Sequence, residues 1–474
     1  MKKRTLCLIV FVLALSLFAV GSARGGPSSP KERLLPIPPL LDDKNKNLNE
    51  VEYEITVKKG VTEFFTGAPN ITYGYNGPLL GPTLRARRGN RVTIRVKNNL
   101  REYTTVHWHG MLLPGEMDGG PHQVVRPDSY WETSFKVTQP AATLWYHPHG
   151  IGNTAIQVYG GLAGLFILDD EVSENLDLPK EYGKNDIPLI VQDRRFSQEG
   201  YLMYGNFMQD IMQGMTGNVV LVNGVVNPFL QVPAGVTRFR ILNGSNARLY
   251  DFTLSNGGSF YQIASDGGFL EQPTKMKALR LSPGERAEIL IDFSLYPEGK
   301  VLHLESRGFN IVKFIVGEKT KKSFKIPAHL TSIERIPPSE VKNRRYFDLT
   351  GMGHMVAINR KQMNMMRIDE FIPLGTTEIW EVTSRVGMMG MMARMRGGSD
   401  IIHNFHAHGI QFQLMERNGK SPPPNELGWK DTFHLNDGER VKIITRFQYP
   451  GLFMYHCHIL EHEDNGMMGQ FKVE

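Results

Sequence analysis

Histidines are concentrated in four short clusters of this 474-residue chain, and histidine is a common metal ligand. A single His-x-His pair is weak evidence for a metal site, because such pairs also occur by chance. Four clusters, two in the first third of the chain and two near its end, point instead to a shared metal centre. They hold ten of the fifteen histidines, namely His107, His109, His147, His149, His403, His406, His408, His456, His458 and His462.

The spacing within the pairs suits such a centre. Alternate residues of a β-strand point to the same face, so His107 and His109 can aim at one locus, as can His147 and His149. Imidazole nitrogen binds copper, zinc, iron or nickel, and histidine alone therefore does not select the metal.

Cysteine narrows the choice of metal. In the stretch HCH, strand alternation places Cys457 on the opposite face from its two histidine neighbours, and thus at a separate site. His462 follows Cys457 by five residues and Met467 follows by five more, so a loop can bring both back to the thiolate. With His403 they form the His₂Cys set with a distant methionine that is typical of blue-copper centres, whereas zinc usually takes a closed tetrahedral set. Met468 is expected to fill the core.

The N-terminal sequence MKKRTLCLIVFVLALSLFAVGSA has a basic start, an apolar centre and small residues at its end. This order is typical of a secretory signal peptide over residues 1–23, cleaved after Ala23. A membrane anchor is the alternative, but the apolar run 6–20 is short, because about twenty residues are needed to span a bilayer. We expect a periplasmic or secreted protein with no stable membrane insertion after cleavage. Cys7 leaves with the peptide, so Cys457 becomes an unpaired thiol that metal ligation explains.

The charge of the chain gives little support to nucleic-acid binding. The formal net charge of +6 includes Lys2, Lys3 and Arg4, and it falls to +3 when the signal peptide is removed. The remaining basic residues are dispersed among acidic ones, whereas nucleic-acid binding needs a basic patch or arm. We expect no nucleic-acid partner.

Two sequence patterns each occur three times and indicate three similar units. One is an apolar strand, a glycine-containing turn, an alternating strand and a polar stop. The other is a turn, a strand, a proline-containing corner and a second strand. Short β-runs dominate, and long helical periodicity is rare. The first pattern occupies 81–100, 227–246 and 366–385, and the second occupies 126–150, 282–306 and 436–458.

These patterns predict an all-β chain of three β-sandwich domains joined by polar, proline-bearing linkers. The first and third copies of the second pattern end in histidine pairs, but the middle copy ends in LHLES. We therefore expect the first and third domains to carry the metal chemistry and the middle domain to act as a spacer. The predicted domains cover residues 45–170, 186–316 and 345–474.

From about residue 51 to residue 474, the order and spacing of the clusters resemble the copper-binding signatures of the multicopper oxidase family. The run HCHILEHEDNGM fits the specific form HCHxxxHxxxxM. The likeness is closest to bacterial periplasmic laccases and copper-efflux cuprous oxidases, which share HWHG followed by a stretch like PGEMDGGP and end in EHEDxGMM. The resemblance implies three cupredoxin-like Greek-key β-sandwiches and four copper ions.

The resemblance also implies a role for each position. A trinuclear cluster of one type 2 and two type 3 ions would lie between the first and third domains, since each supplies half of its histidines. Asp118 and Glu463 match acidic positions that supply protons in similar oxidases; the alternatives are a solvated loop carboxylate and a helix-cap or ion-pair residue. The implied ligands are His403, Cys457, His462 and axial Met467 for type 1; His107 and His406 for type 2; His109, His147 and His458 for one type 3 ion; and His149, His408 and His456 for the other.

The implied reaction couples one-electron oxidation of a donor at the type 1 copper to four-electron reduction of O₂ to water at the trinuclear cluster. Electrons would pass through Cys457 to its two histidine neighbours. Copper would carry the redox chemistry, and the protein would set geometry, potential and proton supply. The implied partners are O₂ and an electron donor, which is Cu(I), another metal ion such as Fe(II), or a phenol.

Methionine is abundant, with 22 residues, and is dense at 203–215 and 387–398. Thioethers suit Cu(I), although methionine is also a flexible core filler. We expect segment 387–398 to form a lid that collects Cu(I), and the protein to serve copper tolerance. Two features depart from copper-efflux oxidases: residues 399–402 carry an acid but no methionine before His403, and the signal peptide has KKR instead of twin arginine, which favours export before folding.

Other functions stay open beside oxidation of Cu(I). A general laccase for organic phenols would use the same copper ligands. A copper-sequestering protein with little turnover would use the methionine patches but would not need a trinuclear cluster. A relative that kept the fold and lost its metals is disfavoured because every ligand position is occupied. A copper nitrite reductase would lack the paired type 3 histidines.

Overall fold

The structure is a computed structural model that describes residues 31–45, 47–205, 207–320, 324–386 and 402–474. The predicted signal peptide and the methionine-rich segment 387–398 lie outside the described residues. Within the described ranges, no helix is long and apolar enough to cross a membrane. A short strand, β1 (Arg33–Leu34), joins a sheet of the middle sandwich.

The first sandwich is formed by β2 (Glu50–Phe65), β3 (Ala68–Tyr75), β4 (Leu84–Arg87), β5 (Arg91–Asn98), β6 (His107–His109), β7 (Tyr130–Lys136), β8 (Ala142–His147) and β9 (Gly164–Asp169). Its sheets have the strand orders β3-β2-β5-β7 and β4-β9-β8-β6. Strand β5 shows the alternation that makes such a sheet: Val92, Ile94 and Val96 are buried, while Arg91 and Arg95 are exposed.

The middle sandwich is formed by β10 (Asp186–Phe196), β11 (Leu202–Met203), β12 (Val219–Val222), β13 (Val225–Val226), β14 (Pro228–Ala234), β15 (Val236–Asn243), β16 (Tyr250–Leu254), β17 (Phe260–Ser265), β18 (Gly268–Met276), β19 (Ala278–Leu281), β20 (Arg286–Asp292), β21 (Val301–Ser306) and β22 (Phe309–Lys319). One sheet has the order β1-β14-β22-β21-β16-β19. The other has the order β13-β12-β10-β15-β20-β17-β18, with β11 paired to β10.

The third sandwich is formed by β23 (Val341–Thr350), β24 (Ala357–Ile358), β25 (Glu370–Ile372), β26 (Thr377–Arg385), β27 (Ile402–Ala407), β28 (Phe412–Arg417), β29 (Thr432–Asn436), β30 (Arg440–Arg446), β31 (Gly451–His456) and β32 (Met468–Val473). Its sheets have the orders β24-β23-β26-β30-β28 and β25-β32-β31-β27-β29.

Helices in the described residues are short and lie outside the sheets. The α-helices are α1 (Thr154–Gly160), α2 (Glu171–Asn175), α3 (Met208–Gln213) and α4 (Leu460–Asp464). Single 3₁₀ turns occur at Gly115–Met117, Phe293–Leu295, Pro338–Glu340, Gly353–Met355 and Pro424–Glu426.

Each sandwich has its own apolar core, drawn from both of its sheets. In the first, Ile94 of β5 shares a cluster with Phe166 of β9. In the middle, Phe239 of β15 packs with Phe314 of β22, and in the third, Phe347 of β23 packs with Tyr455 of β31. The prediction of an all-β chain with three cupredoxin-like Greek-key β-sandwiches is confirmed. The exact domain boundaries stay a prediction.

The first and third sandwiches are joined close to the histidine clusters. Helix α1 follows the second cluster, and helix α4 follows HCH. The Asp464 carboxylate accepts hydrogen bonds from the backbone N–H groups of Thr154, at 3.2 Å, and of Ala155, at 2.9 Å. These bonds fix the end of the third sandwich against the start of α1.

Candidate metal centre

Two strand pairs bring histidine clusters into one buried region. β6 pairs with β8, so that His107 lies opposite His147, and β27 pairs with β31, so that His406 lies opposite His456. Across the two sandwiches, the His107 ring stacks on that of His408 with centroids 3.7 Å apart. All ten histidines of the four clusters are at most 1% exposed.

One group of three nitrogens is especially tight. The Nε2 atoms of His149, His408 and His456 lie 3.0 to 3.1 Å from one another. Nδ1 of His408 is 2.7 Å from an Asp118 carboxylate oxygen, and Nδ1 of His456 is 3.1 Å from the Cys457 carbonyl oxygen. These partners hold protons on Nδ1 and leave the Nε2 lone pairs to converge on one point, as a metal ion requires.

A second group lies beside the first. Nδ1 of His109 is 3.3 Å from Nε2 of His147. Nδ1 of His147 donates to the Pro148 carbonyl at 2.8 Å, so its Nε2 is the free nitrogen. The ring of His458 has its centroid 5.0 Å from that of His109 and 5.2 Å from that of His147. Neither ring nitrogen of His458 has a hydrogen-bond partner among the described residues.

His107 and His406 form a third group. The Nδ1 atom of His107 donates to the Asp118 carbonyl at 3.0 Å, and that of His406 donates to the Asp431 carbonyl at 2.8 Å. Both Nε2 atoms are buried without a hydrogen-bond partner in the described part of the chain. A buried polar atom without a partner is costly. A metal ion would satisfy both nitrogens, and copper is one of the metals that imidazole donors bind.

The set built around the cysteine lies in the core of the third sandwich. Cys457 Sγ is 3.9 Å from His462 Nδ1, and the His462 and His403 rings have centroids 5.4 Å apart. Met467 is fully buried in the same core, and its carbonyl accepts a 3.0 Å bond from the Cys457 N–H. A thiol, two imidazoles and a thioether are thus placed in one apolar region.

The pKa values of these groups fit a metal-binding role. Burial lowers the pKa of His149, His408 and His456 well below 6.5, and neighbouring imidazoles lower it further. These rings are therefore neutral at pH 7, the form that binds a metal. Burial raises the pKa of the Cys457 thiol to about 12, so a bound cation is needed to hold it as a thiolate at neutral pH.

Both predicted acids touch the histidine groups. Asp118 is 2% exposed, with Oδ2 2.7 Å from His408 Nδ1 and 3.4 Å from His107 Nδ1. Glu463 is also 2% exposed, and its oxygens lie 3.5 Å from His149 Nδ1 and 3.3 Å from His456 Nδ1. Burial raises the pKa of Glu463 well above 4.5, and the charge of Asp464 adds to the effect.

Two residues of the site were not found by the sequence analysis. Oδ1 of Asp431 lies 3.0 Å from His109 Nε2, and both its oxygens accept 2.7 Å bonds from Arg286 of the middle sandwich. Burial alone would raise the pKa of Asp431, but Arg286 lowers it below the usual value. The sequence signal for Arg286 is weak and consists of its position in the GER turn of the repeated pattern. Asp431 follows Trp429 and Lys430 and belongs to none of the histidine motifs.

A second contact from the middle sandwich lies under HCH. Asn404 Nδ2 donates to the Pro283 carbonyl at 2.8 Å, while Asn404 Oδ1 accepts a 2.7 Å bond from the His458 N–H. Gly284 has φ of +84°, and a Cβ there would lie 3.1 Å from the His458 ring. Glycine at this position allows the loop of the middle sandwich to lie directly against that ring.

Methionines of the 203–215 patch lie on the side of the site that holds His462. Helix α3 and the 3₁₀ turn Gly353–Met355 both contact α4, and His462 Nε2 lies 3.1 Å from the Met212 carbonyl oxygen. Met208 and Met355 are 73% and 60% exposed on these elements. Two exposed methionines are thus carried by elements that pack against α4, the helix that contains His462.

Known proteins that are similar to this chain include multicopper oxidases and a cell division protein. Models of the multicopper oxidase family match residues 56–173 and 336–474. The chain is 42% identical over 446 residues to multicopper oxidase mco of Staphylococcus aureus, with 94% of each chain covered. It is also 33% identical over 478 residues to the cell division protein FtsP of Xenorhabdus nematophila, which covers 96% of this chain and 94% of that relative.

The fold is likewise similar to a solved enzyme structure. The laccase from Pediococcus acidilactici Pa5930 superposes with a TM-score of 0.88 at 39% sequence identity, and 95% of each chain is covered. The similarity therefore includes all three sandwiches.

Proposed function

Because the chain belongs to the multicopper oxidase family, we propose that it oxidises Cu(I), and also Fe(II) and phenolic donors, while reducing O₂ to water. It is an oxidoreductase, and its cofactor is copper. The finer proposal is that it serves copper tolerance. The single observation that carries the assignment of a copper oxidase is the convergence of imidazole nitrogens, with three Nε2 atoms within 3.1 Å of one another.

We propose that the site holds four copper ions. The distances between the imidazole nitrogens support the ligand sets. Unpartnered Nε2 atoms support the type 2 position, and the two neighbouring groups support the type 3 pair. The proposed ligands are His403, Cys457, His462 and Met467 for type 1; His107 and His406 for type 2; His109, His147 and His458 for one type 3 ion; and His149, His408 and His456 for the other.

Bound copper would supply one-electron redox chemistry and the means to reduce O₂ by four electrons. The protein's own contribution begins at Cys457, whose backbone neighbours His456 and His458 belong to the other group of donors. The HCH triplet is therefore the shortest covalent connection between the two donor sets. It is rigid, because Asn404 accepts the His458 N–H and Met467 accepts the Cys457 N–H.

Asp118 and Glu463 are proposed to hold and deliver the protons that water formation needs. Each is buried, and each has a carboxylate oxygen within 3.5 Å of the Nδ1 atoms of two histidines, which places a proton-bearing group beside the cluster. The raised pKa of Glu463 favours its protonated form at neutral pH, as a proton donor requires.

Exposed thioethers next to the His462 side support Cu(I) as donor, since soft sulfur ligands suit Cu(I). Met208 and Met355 are exposed on α3 and on the 3₁₀ turn Gly353–Met355, which both contact α4. The lid predicted for 387–398 lies outside those residues and stays a prediction. A general laccase is the second candidate function, supported by the similarity to the Pediococcus acidilactici laccase.

Three further assignments complete the proposal. Residues 1–23 are proposed to act as a signal peptide, and the mature protein to be periplasmic or secreted. The domains are proposed to span 45–170, 186–316 and 345–474. In support, the strands within each of these ranges form two sheets of their own, and only the short strand β1 joins a sheet of another range among the described residues.

Oxygen consumption distinguishes the two candidate functions. Copper-reconstituted protein is given Cu(I) or a phenolic donor, each with and without added Cu(II). A cuprous oxidase turns over Cu(I) rapidly and oxidises phenol faster when Cu(II) is added. Fast phenol oxidation that ignores Cu(II) identifies a general laccase and contradicts the Cu(I) proposal.

A further inference from the structure

We infer that Arg286 of the middle sandwich is a positioning residue for the trinuclear copper site, because it orients Asp431, which in turn fixes the ring of His109. The inference rests on the proposed function, since it takes His109 as a copper ligand. It gives the middle sandwich, predicted as a spacer, a direct part in shaping the metal centre.

Every donor of the Arg286 guanidinium is used. Nε donates to the Thr143 carbonyl of the first sandwich at 3.0 Å. The two Nη atoms donate to the carbonyls of Gly284 and Asp266 at 3.0 Å, and to both oxygens of Asp431 at 2.7 Å. Arginine has five N–H donors in a planar fork, so this group has one orientation only. It is 1% exposed and contacts all three sandwiches.

Asp431, held by Arg286, in turn contacts two of the histidines. Its Oδ1 lies 3.0 Å from His109 Nε2 and 2.9 Å from the Thr432 hydroxyl, which itself lies 3.1 Å from both His109 Nε2 and His406 Nδ1. Its backbone carbonyl accepts the Nδ1 proton of His406. One residue thus determines the orientation of two rings in different sandwiches.

The consequence for His109 is specific. In four of the cluster histidines, Nδ1 has an oxygen as its hydrogen-bond partner, and Nε2 faces other imidazoles or has no hydrogen-bond partner in the described part of the chain. These are His147, His406, His408 and His456. In His109 the arrangement is reversed, because Nε2 faces Asp431 and Nδ1 faces His147. The proton on Nε2 must point to a fixed acceptor for Nδ1 to be available to a metal ion.

Arg286 provides that fixed acceptor. Asp431 is fully buried, and a buried carboxylate requires a charged partner with good hydrogen-bond geometry. Gln411 Nε2 also donates to it at 2.9 Å, but a neutral amide supplies one bond and no charge. Without the guanidinium fork, the carboxylate plane is no longer held towards His109.

A purely structural role for Arg286 predicts a different result, and Arg240 offers the matched control. Arg240 is also a buried arginine of the middle sandwich, 2% exposed, and it donates to Asp186 and to the Thr143 hydroxyl of the first sandwich. It makes no contact with a histidine of the four clusters among the described residues. Loss of Arg240 therefore reports on stability and on the packing of the middle sandwich against the first, and leaves the contact between Asp431 and His109 in place.

The test uses full-length mature protein reconstituted with copper: wild type, Arg286→Gln, Arg286→Lys and Arg240→Gln. Copper affinity is measured by competition with a chelator, and EPR gives the fraction of bound copper that is not spin-coupled. Visible absorption of the Cys457 site and the melting temperature are recorded for each variant.

We expect Arg286→Gln to bind trinuclear copper about 10- to 100-fold more weakly, the usual effect of losing a partner that orients a metal ligand. Its EPR-detectable fraction rises, while the visible absorption of the Cys457 site is unchanged. Arg286→Lys, which keeps the charge without the fork, shows a smaller loss and serves as the folded variant if Arg286→Gln is unstable. Arg240→Gln lowers the melting temperature but keeps the wild-type affinity and EPR fraction.

Wild-type affinity and EPR fraction in both Arg286 variants, with a melting temperature lowered as in Arg240→Gln, would overturn the inference. A wild-type protein that holds copper at the Cys457 site but none at the other histidines would overturn the proposed function, and the inference with it. The two failures are distinguished by whether the wild type itself binds that copper.

Discussion

His109 of the first sandwich and His406 of the third lie ring on ring, with centroids 3.7 Å apart and planes inclined by 8°. The two residues belong to different ends of the chain, and each is backed by Asp431. The stack exists only when the two sandwiches are docked. Copper binding and domain docking are therefore linked, because the donor set is not assembled in either sandwich alone.

Replacement of Met467 distinguishes a role of its thioether as a copper ligand from a role in core packing. Met467→Leu is close to volume-conserving and should cost less than about 1.5 kcal/mol of stability. Loss of the thioether removes a donor that stabilises Cu(II), so the type 1 reduction potential should rise by roughly 60 mV, a tenfold change for a one-electron couple. The measurement is a redox titration of the visible absorption. Met468→Leu is the control, and an equal shift in both variants would refute the axial role.

Removal of the Glu463 carboxyl tests proton supply. Glu463→Gln should lower turnover about 100-fold, within the usual range for loss of a positioned acid, and should leave copper content unchanged. Glu461→Gln is the matched control on α4, because Glu461 accepts bonds from Asn246 and from the Met215 N–H and faces no cluster histidine in the described structure. Steady-state oxygen uptake decides the outcome: wild-type turnover in Glu463→Gln rules out the proposed proton role.

The exposed methionines on the elements that pack against α4 are predicted to assist oxidation of Cu(I) but not oxidation of phenols. The double variant Met208→Leu, Met355→Leu should slow oxidation of Cu(I) at low donor concentration about tenfold, equivalent to roughly 1.4 kcal/mol of donor binding. Phenol oxidation should be unaffected, since phenols do not need soft sulfur ligands. Met366→Leu changes a methionine that is 92% exposed elsewhere and is the control. Equal slowing with Cu(I) and phenol would mean a general defect and not a Cu(I) site.

Because the pKa of Glu288 is lowered, the free energy of unfolding should depend on pH in the acid range. Burial alone would raise its pKa, but Arg238 and Arg240 lower it to about 2 from an ordinary value of 4.5. Its stabilising effect is therefore complete above pH 4.5 and is lost as the pH falls from 4.5 to about 2, because the unfolded chain takes up the proton first. Glu288→Gln should cost about 3 to 5 kcal/mol at neutral pH, as for a broken buried ion pair.

Denaturant unfolding between pH 2 and pH 7 checks this prediction. The dependence of the unfolding free energy on pH below 4.5 should be shallower in Glu288→Gln than in the wild type. Parallel curves for the two proteins would show that Glu288 is not the titrating group. Copper content should be the same in both, because within the described residues Glu288 contacts Thr143, Arg238 and Arg240 and no histidine of the clusters.

Much of the fold could be predicted from local patterns. Alternation in β5 and the repeated strand–turn–strand units depend on neighbouring residues, and these identify β-sandwiches directly. The i, i+2 spacing of His107 and His109 likewise predicts a common direction for both rings. Strand β10 is harder, because it is buried on both faces and its sequence DIPLIVQDRRF does not alternate.

The contribution of Arg286 could not be predicted in this way. Its bonds to Thr143 and Asp431 join three sandwiches, and the contacts depend on how those sandwiches dock. A lone arginine in a turn is common, and no local spacing distinguishes one that reaches a metal centre. The same limit applies to Asn404, whose amide links the middle sandwich to His458.

The central claim is that this chain assembles a complete multicopper centre, and the most direct measurement is the copper content of reconstituted protein. Metal analysis and EPR should give four copper ions in the wild type, of which a part is spin-coupled and EPR-silent. Cys457→Ser should lose one ion and the visible absorption while the coupled pair remains. A wild-type protein that binds only the copper lost in Cys457→Ser, or that shows no spin-coupled copper, would contradict the account.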